Sequence, residues 1–294
     1  MAGKAAARFT EATRGRVKNM HKLKLCVAGA SVLATLVLAP AASAWAPAAT
    51  AAIHPGVQTF TQGGQCTANF IFSDGSNVYV GQAAHCSGTG GNTATDGCTS
   101  GSLPIGTKVD VTGASKQGTL VYNSWLTMQG LHEGDADTCA YNDLALVQLD
   151  PSDVAKVNPS VPGFGGPTGV AEAPTNAGDT VYTYGNSELR GGVTKLSPKQ
   201  GVVVQPQGNG WSRDVYTVTP GIPGDSGSGF LDSSGNAIGV LSTVQIAPLA
   251  GSNGVGDLAR EIAYMHAHSA FGGANVAAGT QPFNGSLLGA IQGA

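Results

Sequence analysis

The chain is poor in charged residues, and its basic side chains are concentrated near its start. Only 11% of its 294 residues are charged, and seven of its 15 Lys and Arg lie within residues 1–24. Beyond residue 44 the basic count falls from 15 to 8 and the acidic count from 18 to 17, so the formal charge goes from −3 to −9. An acidic chain without a Lys/Arg cluster argues against nucleic acid or anionic lipid as a partner.

Long hydrophobic runs are also missing, and the one extended apolar stretch is short. The run LCVAGASVLATLVLA at residues 25–39 has fifteen residues, whereas a membrane-spanning helix needs about 20. A basic head precedes this run, and Pro40 and the small residues AASA follow it. This order predicts a secretory signal peptide over residues 1–44, cleaved after Ala44 and starting at Met1 or Met20. We therefore expect an extracellular protein without a membrane partner after cleavage, and a membrane anchor is the alternative.

Cysteine patterns typical of metal sites are absent. The chain has no C-x-x-C pair, and four of its five cysteines lie beyond the predicted signal: Cys66, Cys86, Cys98 and Cys139. An even number in an exported protein predicts two disulfides, for which three pairings are possible. The sequential pairing, Cys66–Cys86 and Cys98–Cys139, is the simplest. A zinc site at His85 beside Cys86 is the alternative, and we expect no metal.

A helical period is missing over most of the chain. Between residues 60 and 250, short β-branched and aromatic runs alternate with turns rich in Gly, Asn, Asp and Pro. TANFIF and VYVGQAA flank the turn SDGSN and predict a hairpin. Similar runs follow as TKVDVTGA, GTLVYNSWL, NDLALVQLD, DTVYTYG, DVYTVT, SGFLD and AIGVLSTV. Many short strands favour a β-barrel or a β-sandwich.

Two segments interrupt this strand pattern. NPSVPGFGGPTG has the Pro and Gly content of a linker, and DLAREIAYMHAH predicts one helix with Asp257 as its N-cap. The last residues are small and apolar without a clear period. We therefore divide the chain beyond the signal into a mature N-terminal segment or short propeptide (45–59), an N-terminal barrel (60–157), a linker (158–169), a C-terminal barrel with its helix (170–268) and a Gly/Ala-rich tail (269–294).

Three distant residues form a candidate catalytic set. PGIPGDSGSGF places Ser226 in a glycine-rich turn, and a serine becomes nucleophilic only when a base takes its proton and an acid orients that base. His85 ends the strand-like VYVGQAAHC, where the adjacent cysteine can hold it in place. Asp143 opens the apolar run NDLALVQL, where a carboxylate is costly unless it has a partner. The predicted triad is thus His85, Asp143 and Ser226.

With AAHC, NDLAL and GDSGSG in that order, residues 60–265 resemble the chymotrypsin-like serine proteases, most closely the small secreted bacterial branch. The resemblance implies an all-β fold of two six-stranded antiparallel barrels with a C-terminal α-helix. It also implies an endopeptidase that acts on peptide or protein substrates without a cofactor, and we expect a monomer. An α/β-hydrolase is excluded because position 228 is Ser in place of the last Gly of G-x-S-x-G, and because its serine would come first in the chain.

The resemblance also assigns roles around the serine. The backbone N–H groups of Gly224 and Ser226 would form the oxyanion hole. In the family, the aspartate at the position of Asp225 pairs with an N-terminal amine that activation cleavage creates. The usual Ile-Val-Gly-Gly start is absent, and Ile53 is the candidate for such a terminus. A different partner for Asp225 is the alternative.

Substrate-binding positions follow from the same resemblance. Pro220, six positions before the serine, stands where trypsin-like members have a carboxylate, which predicts no cleavage after Lys or Arg. Ser242, Thr243 and Val244 would form one wall of the cleft, and Gly254 the opposite wall. Because Val244 replaces the glycine of an open pocket, we expect cleavage after small or medium apolar residues. An inactive binding protein with this fold and an esterase with the same triad are the alternatives.

Overall fold

A computed structural model describes residues 45–91, 94–245 and 249–294. The predicted signal peptide, residues 1–44, lies outside the described residues. Of the helices in the described ranges, none is long and apolar enough to cross a bilayer.

Short strands dominate the described residues. Before the linker they are β1 (Gln58–Thr61), β2 (Gly64–Thr67), β3 (Ile71–Ser73), β4 (Val78–Ala83), β5 (Lys108–Val111), β6 (Gly118–Asn123) and β7 (Leu144–Gln148). After it come β8 (Thr180–Tyr184), β9 (Pro198–Gln207), β10 (Ser212–Thr217), β11 (Gly229–Leu231), β12 (Ala237–Val244), β13 (Asn253–Asp257) and β14 (Asn275–Val276). The helices are α1 (Ser124–Leu131), α2 (Ala136–Tyr141), α3 (Leu258–His268) and α4 (Leu287–Gly293).

The strands form two antiparallel sheets. Strands β8 to β13 close into a barrel in the order β10-β13-β12-β11-β8-β9. The remaining strands form an eight-stranded sheet in the order β14-β3-β4-β7-β6-β5-β1-β2. The predicted all-β fold with a C-terminal helix is confirmed. The first sheet differs from the predicted six-stranded barrel, because it has eight strands. Strand β14 from the tail pairs with β3 at one edge of this sheet, and β2 forms the opposite edge.

One apolar core joins the two sheets. It contains Phe72 and Leu144 from the first sheet, Leu231 and Val240 from the barrel, and Met265 from α3, each of them buried. All six residues of β4 are buried, as expected for a strand that is covered on both faces. The strand that leads to His85 is therefore held rigidly inside the molecule.

The predicted helix at residues 257–268 is confirmed as α3. The Asp257 side chain accepts a hydrogen bond from the Arg260 N–H at 3.0 Å, which makes Asp257 the N-cap. The strand predicted over GTLVYNSWL is too long, because β6 ends at Asn123 and α1 begins at Ser124. Asn123 Oδ1 accepts from the Leu126 N–H at 3.2 Å, so a capping side chain outweighs the β preference of the residues around it.

The helix α2 begins at Ala136, within the run HEGDAD at residues 132–137. The sequence pattern predicted neither a strand nor a helix there. Asp135 Oδ1 accepts from the Thr138 N–H at 2.8 Å and caps this helix. The short helix α2 carries the chain from α1 back to Asp143, at the start of β7.

The tail lies along the first sheet and the linker. The Ala277 N–H donates to the Ile71 carbonyl at 2.8 Å, next to the pairing of β14 with β3. The Asn284 N–H donates to the Phe164 carbonyl at 2.7 Å, and Ala290 of α4 is buried. The tail thus adds backbone hydrogen bonds to both the N-terminal sheet and the segment between the sheets.

The cysteines are bonded in the sequential pairing. Cys66 is joined to Cys86 with 6.1 Å between their Cα atoms, and Cys98 to Cys139 with 5.2 Å. Both links lie before the linker, and the first lies beside His85.

Candidate active site

His85 and Asp143 meet where two neighbouring strands end. Strands β4 and β7 pair in antiparallel register with Ala83 opposite Leu144, so the residues just beyond this pair share one edge. The His85 ring Nδ1 lies 2.6 Å from Asp143 Oδ2, and the His85 backbone N–H donates to Asp143 Oδ1 at 2.8 Å. Both carboxylate oxygens therefore hold the same histidine.

This contact sets the ionisation of the histidine. Burial lowers the pKa of His85, and the nearby Asp143 charge and its hydrogen bond raise it, with a net increase above the ordinary value. Asp143 is buried, whereas the His85 side chain is 25% exposed. With the Nδ1–H donating a hydrogen bond to this carboxylate, Nε2 is the basic ring nitrogen.

Two further side chains hold Asp143. Ser242 Oγ donates to Asp143 Oδ2 at 2.5 Å, and the Asp143 backbone N–H donates to Glu261 Oε1 at 2.9 Å. Burial raises the pKa of Glu261 well above its usual range. The sequence interpretation gave Ser242 only a substrate role and missed Glu261. Glu261 lies on the face of α3 that also buries Leu258 and Met265. An acidic residue at the spacing of the buried apolar residues was the sequence pattern that could have identified it.

Ser226 lies in the turn that precedes β11. Its carbonyl accepts a hydrogen bond from the Thr67 N–H at 2.8 Å, and the next residue, Gly227, donates to the Leu241 carbonyl at 2.7 Å. Thr67 follows Cys66, whose disulfide partner Cys86 is adjacent to His85. The described residues show no direct hydrogen bond between the side chains of His85 and Ser226, so the serine is positioned through its backbone.

Gly224 has a backbone conformation that strongly favours glycine. Its φ is +94°, and a Cβ there would lie 2.1 Å from Gln65 Oε1. Its carbonyl accepts from Thr67 Oγ1 at 2.7 Å and from Gln65 Nε2 at 2.9 Å. In the described residues, neither the Gly224 N–H nor the Ser226 N–H donates to a protein acceptor. Two backbone donors next to the serine are therefore available to a ligand.

Asp225 is held by cations from elsewhere in the barrel. Its Oδ2 accepts from Arg190 Nη2 at 2.5 Å and lies 3.3 Å from Lys199 Nζ. Asp225 and Lys199 are fully buried, and burial is the main reason that the pKa of Lys199 falls to about 8. Ile53 lies elsewhere, since its N–H donates to the Lys156 carbonyl at 3.1 Å. The structure thus gives Asp225 a different partner from the predicted terminus, and Arg190 and Lys199 were not identified from the sequence.

The five predicted substrate-binding residues do not form one pocket. Ser242, Thr243 and Gly254 line a cavity of about 230 Å³. Val244 is 45% exposed at the end of β12, and Pro220 is exposed, with its carbonyl accepting from Arg190 Nη2 at 3.1 Å. Neither of these two residues lines the cavity.

Asn253 connects the serine turn to the wall at Thr243. Its Oδ1 accepts from the Gly221 N–H at 2.9 Å, and its Nδ2 lies 3.4 Å from the Thr243 carbonyl, to which it donates. Asn253 is fully buried, so its amide occupies the space between these two segments. The sequence interpretation missed it, because an asparagine in a Gly-rich strand carries no distinct pattern.

The architecture is shared with solved bacterial proteases. Thermobifida fusca Protease A matches 78% of this chain and 100% of its own, with a TM-score of 0.50 and 18% identity. A Cellulomonas bogoriensis chymotrypsin matches 77% of this chain and 98% of its own, with a TM-score of 0.47 and 16% identity. No protein-family model and no curated protein matches the sequence. The similarity to Thermobifida fusca Protease A shows that the chain has the fold of the bacterial chymotrypsin-like serine proteases.

Proposed function

We propose that the chain is a serine endopeptidase in which Ser226 is the nucleophile, His85 the general base and Asp143 the acid that orients it. The observation that carries this proposal is the 2.6 Å contact between His85 Nδ1 and the buried Asp143 Oδ2. A buried carboxylate that holds Nδ1 stabilises both the required tautomer and the imidazolium formed during the reaction. The serine turn, with its two available N–H donors, completes the set.

The reaction follows from these positions. Nε2 of His85 takes the proton of Ser226 Oγ as the oxygen attacks the substrate carbonyl, and the carbonyl oxygen becomes an oxyanion. The N–H groups of Gly224 and Ser226 stabilise that oxyanion, and loss of one such donor typically costs about 2.7–4 kcal/mol of barrier. The imidazolium then protonates the leaving amine. Water, activated by the same histidine, hydrolyses the acyl-enzyme.

The substrate is proposed to bind as an extended strand beside Ser242 and Thr243. We retain the preference for small or medium apolar residues before the cleaved bond. Asn253 supports it, because the amide that links Gly221 to Thr243 limits the depth between these segments. Pro220 stands where trypsin-like members have a carboxylate. This supports the expectation that Lys and Arg are not accepted directly before the cleaved bond.

Secretion as a monomer completes the proposal. The basic head, short apolar run and small residues at 1–44 support export. Two disulfides support an oxidising destination, where such bonds persist. The segment 45–59 remains the proposed mature start or propeptide.

Peptide-library cleavage by the full chain, produced in a host that exports and processes it, tests this function. Ser226→Ala and His85→Ala should remove cleavage, and Asp110→Asn, at an exposed site on β5, should retain it. Hydrolysis of esters without any peptide cleavage would favour an esterase. Absence of both, in a folded and processed protein, would favour a binding protein and contradict the proposal.

A further inference from the structure

The 230 Å³ cavity beside Ser242 contains an unusual buried charge. The residues that line the cavity include Ser242, Thr243, Tyr141, Asp214, Gln207 and Gln245. Asp214 belongs to β10 and is fully buried. The cavity therefore adjoins both the proposed substrate strand and an ionisable group that the proposed reaction does not use.

Asp214 is held only by neutral amides. Its Oδ2 accepts from Gln205 Nε2 at 2.8 Å and from Gln207 Nε2 at 2.7 Å, and its Oδ1 accepts from Gln245. Within the described ranges, no Lys, Arg or His nitrogen lies within 4.0 Å of this carboxylate. Amide donors satisfy its hydrogen bonds but leave its negative charge uncompensated.

The other buried aspartates differ from Asp214 in this respect. Asp143 contacts His85, Asp225 contacts Arg190 and Lys199, and Asp153 has Lys156 at 2.8 Å. In the part of the chain that the structure describes, Asp214 is thus the single buried aspartate without a cationic partner. It is also the one that lines a cavity large enough for a side chain from outside.

We propose that this cavity binds the Lys or Arg side chain of a substrate residue that lies two to four positions before the cleaved bond. The inference rests on the proposed function, because it takes the peptide strand to run along Ser242 and Thr243. The carboxylate has no exposed surface, so the cation meets the glutamine amides first. Each amide that donates to Asp214 retains a carbonyl oxygen that can accept from the cation.

Charge explains why the occupant is cationic. A buried carboxylate favours a positive group nearby much more than a neutral one, since water does not screen the interaction. The chain beyond residue 44 carries −9 overall, so the long-range field also attracts basic peptides. An acidic side chain in the same cavity would meet an unfavourable potential.

Peptides that differ at one position test the charge directly. Each peptide carries the same apolar residue before the cleaved bond, and Lys, acetyl-lysine, norleucine or Glu is placed two, three or four positions upstream. At one of these positions we expect kcat/KM to be about tenfold higher for Lys than for acetyl-lysine or norleucine, and lowest for Glu. Equal values for Lys and norleucine at all three positions would overturn the inference while leaving the proposed function intact.

Asp214→Asn assigns the effect to this carboxylate. The ratio of kcat/KM for the Lys peptide to that for the norleucine peptide should fall toward one in this variant. Asp110→Asn, which changes the net charge equally on the exposed face of β5, should keep the wild-type ratio. A selectivity that is unchanged in folded Asp214→Asn would contradict the assignment. If this variant does not fold, the wild-type peptide series decides alone.

A chain that cleaves no peptide still allows a decision. The proposed function then fails, and the fluorescently labelled Lys, norleucine and Glu peptides are used to measure binding by anisotropy. A dissociation constant about tenfold lower for Lys than for norleucine supports a cation-binding cavity. Equal affinities, or no binding of any of the three at millimolar concentration, reject it.

Discussion

The two halves of the molecule are held together by different means. Both disulfides lie before the linker, and Cys66–Cys86 adjoins His85. The half that contains the closed barrel has no cysteine and instead holds ion pairs with one buried partner, with Arg190 against the buried Asp225 and the buried Arg213 against Asp257. The proposed base, His85, therefore lies next to a disulfide. The proposed nucleophile, Ser226, lies next to an ion pair with a buried aspartate.

This difference determines how each half fails. A disulfide stabilises mainly by restricting the unfolded chain, so its loss lowers stability without leaving a buried charge. An ion pair that loses one partner leaves the other charged and buried, which is strongly destabilising. Loss of one ion-pair partner in the barrel should therefore destabilise the protein through an uncompensated charge next to the serine turn. Loss of a disulfide should destabilise the first sheet without such a charge.

Apart from loss of Ser226 or His85 themselves, the largest effect on activity is expected from Asp143→Asn. It should lower kcat/KM for peptide hydrolysis by about 10⁴, because the amide stabilises the wrong imidazole tautomer. In the wild type, kcat/KM should rise with pH through a midpoint above the ordinary His pKa, since Asp143 raises the pKa of His85. Activity of the variant within tenfold of wild type, measured across this pH range, would contradict the role of Asp143.

The largest effect on stability is expected from Asp225→Asn. It leaves the buried Lys199, and Arg190 beside it, without their anion, which should lower the free energy of unfolding by about 3–5 kcal/mol in urea titrations. Lys116→Met is the matched control, since it removes an exposed pair with Asp150 at 3.1 Å and should cost under about 1 kcal/mol. Similar losses in the two variants would remove the distinction between buried and exposed pairs.

Removal of the Cys66–Cys86 bond should have a comparable or smaller effect on stability. The double Ser variant should lose about 3 kcal/mol for a separation of 20 residues. It should also lose activity per folded molecule, because Cys86 adjoins His85. The Cys98–Cys139 double Ser variant is the control, with about 4 kcal/mol lost over 41 residues and a smaller change in kcat/KM. Equal activity losses would mean that the first bond does not position His85.

The smallest effect is expected from Glu261→Gln, and it depends on pH. The folded state raises the pKa of Glu261, so it binds that proton more tightly than the unfolded chain does. This stabilisation is complete below the unfolded pKa near 4.5 and declines as pH rises toward the folded pKa. The wild-type stability minus that of the variant should fall by up to about 1.4 kcal/mol per pH unit in urea titrations. A pH-independent difference would show that Glu261 does not titrate as described.

The strands that frame the site could be predicted because alternating apolar runs dictate them. VYVGQAA and NDLALVQLD became β4 and β7, whose register brings His85 to Asp143. Strands such as β2 and β9 were missed, because GQCT and PKQGVVVQPQ mix Gly, Gln and Pro with few apolar residues. Tertiary pairing, rather than local preference, makes them strands.

The partners of the proposed catalytic residues could not be predicted, because each comes from a distant segment. Glu261 reaches Asp143 across 118 positions, and Arg190 reaches Asp225 across 35. No local pattern links such residues, and only the fold reveals that Glu261 accepts the Asp143 backbone N–H and that Arg190 neutralises Asp225. The role of Val244 as a cleft wall stays a prediction, and its side chain is 45% exposed at the end of β12.

Labelling of the serine by an active-site-directed phosphonate tests the central claim most directly. The exported, processed chain is treated with the reagent, and the modified residue is identified by peptide mapping. The account predicts one adduct, on Ser226, that disappears in His85→Ala although this variant remains folded. A folded wild type without an adduct, or labelling of Ser226 that does not depend on His85, would contradict it.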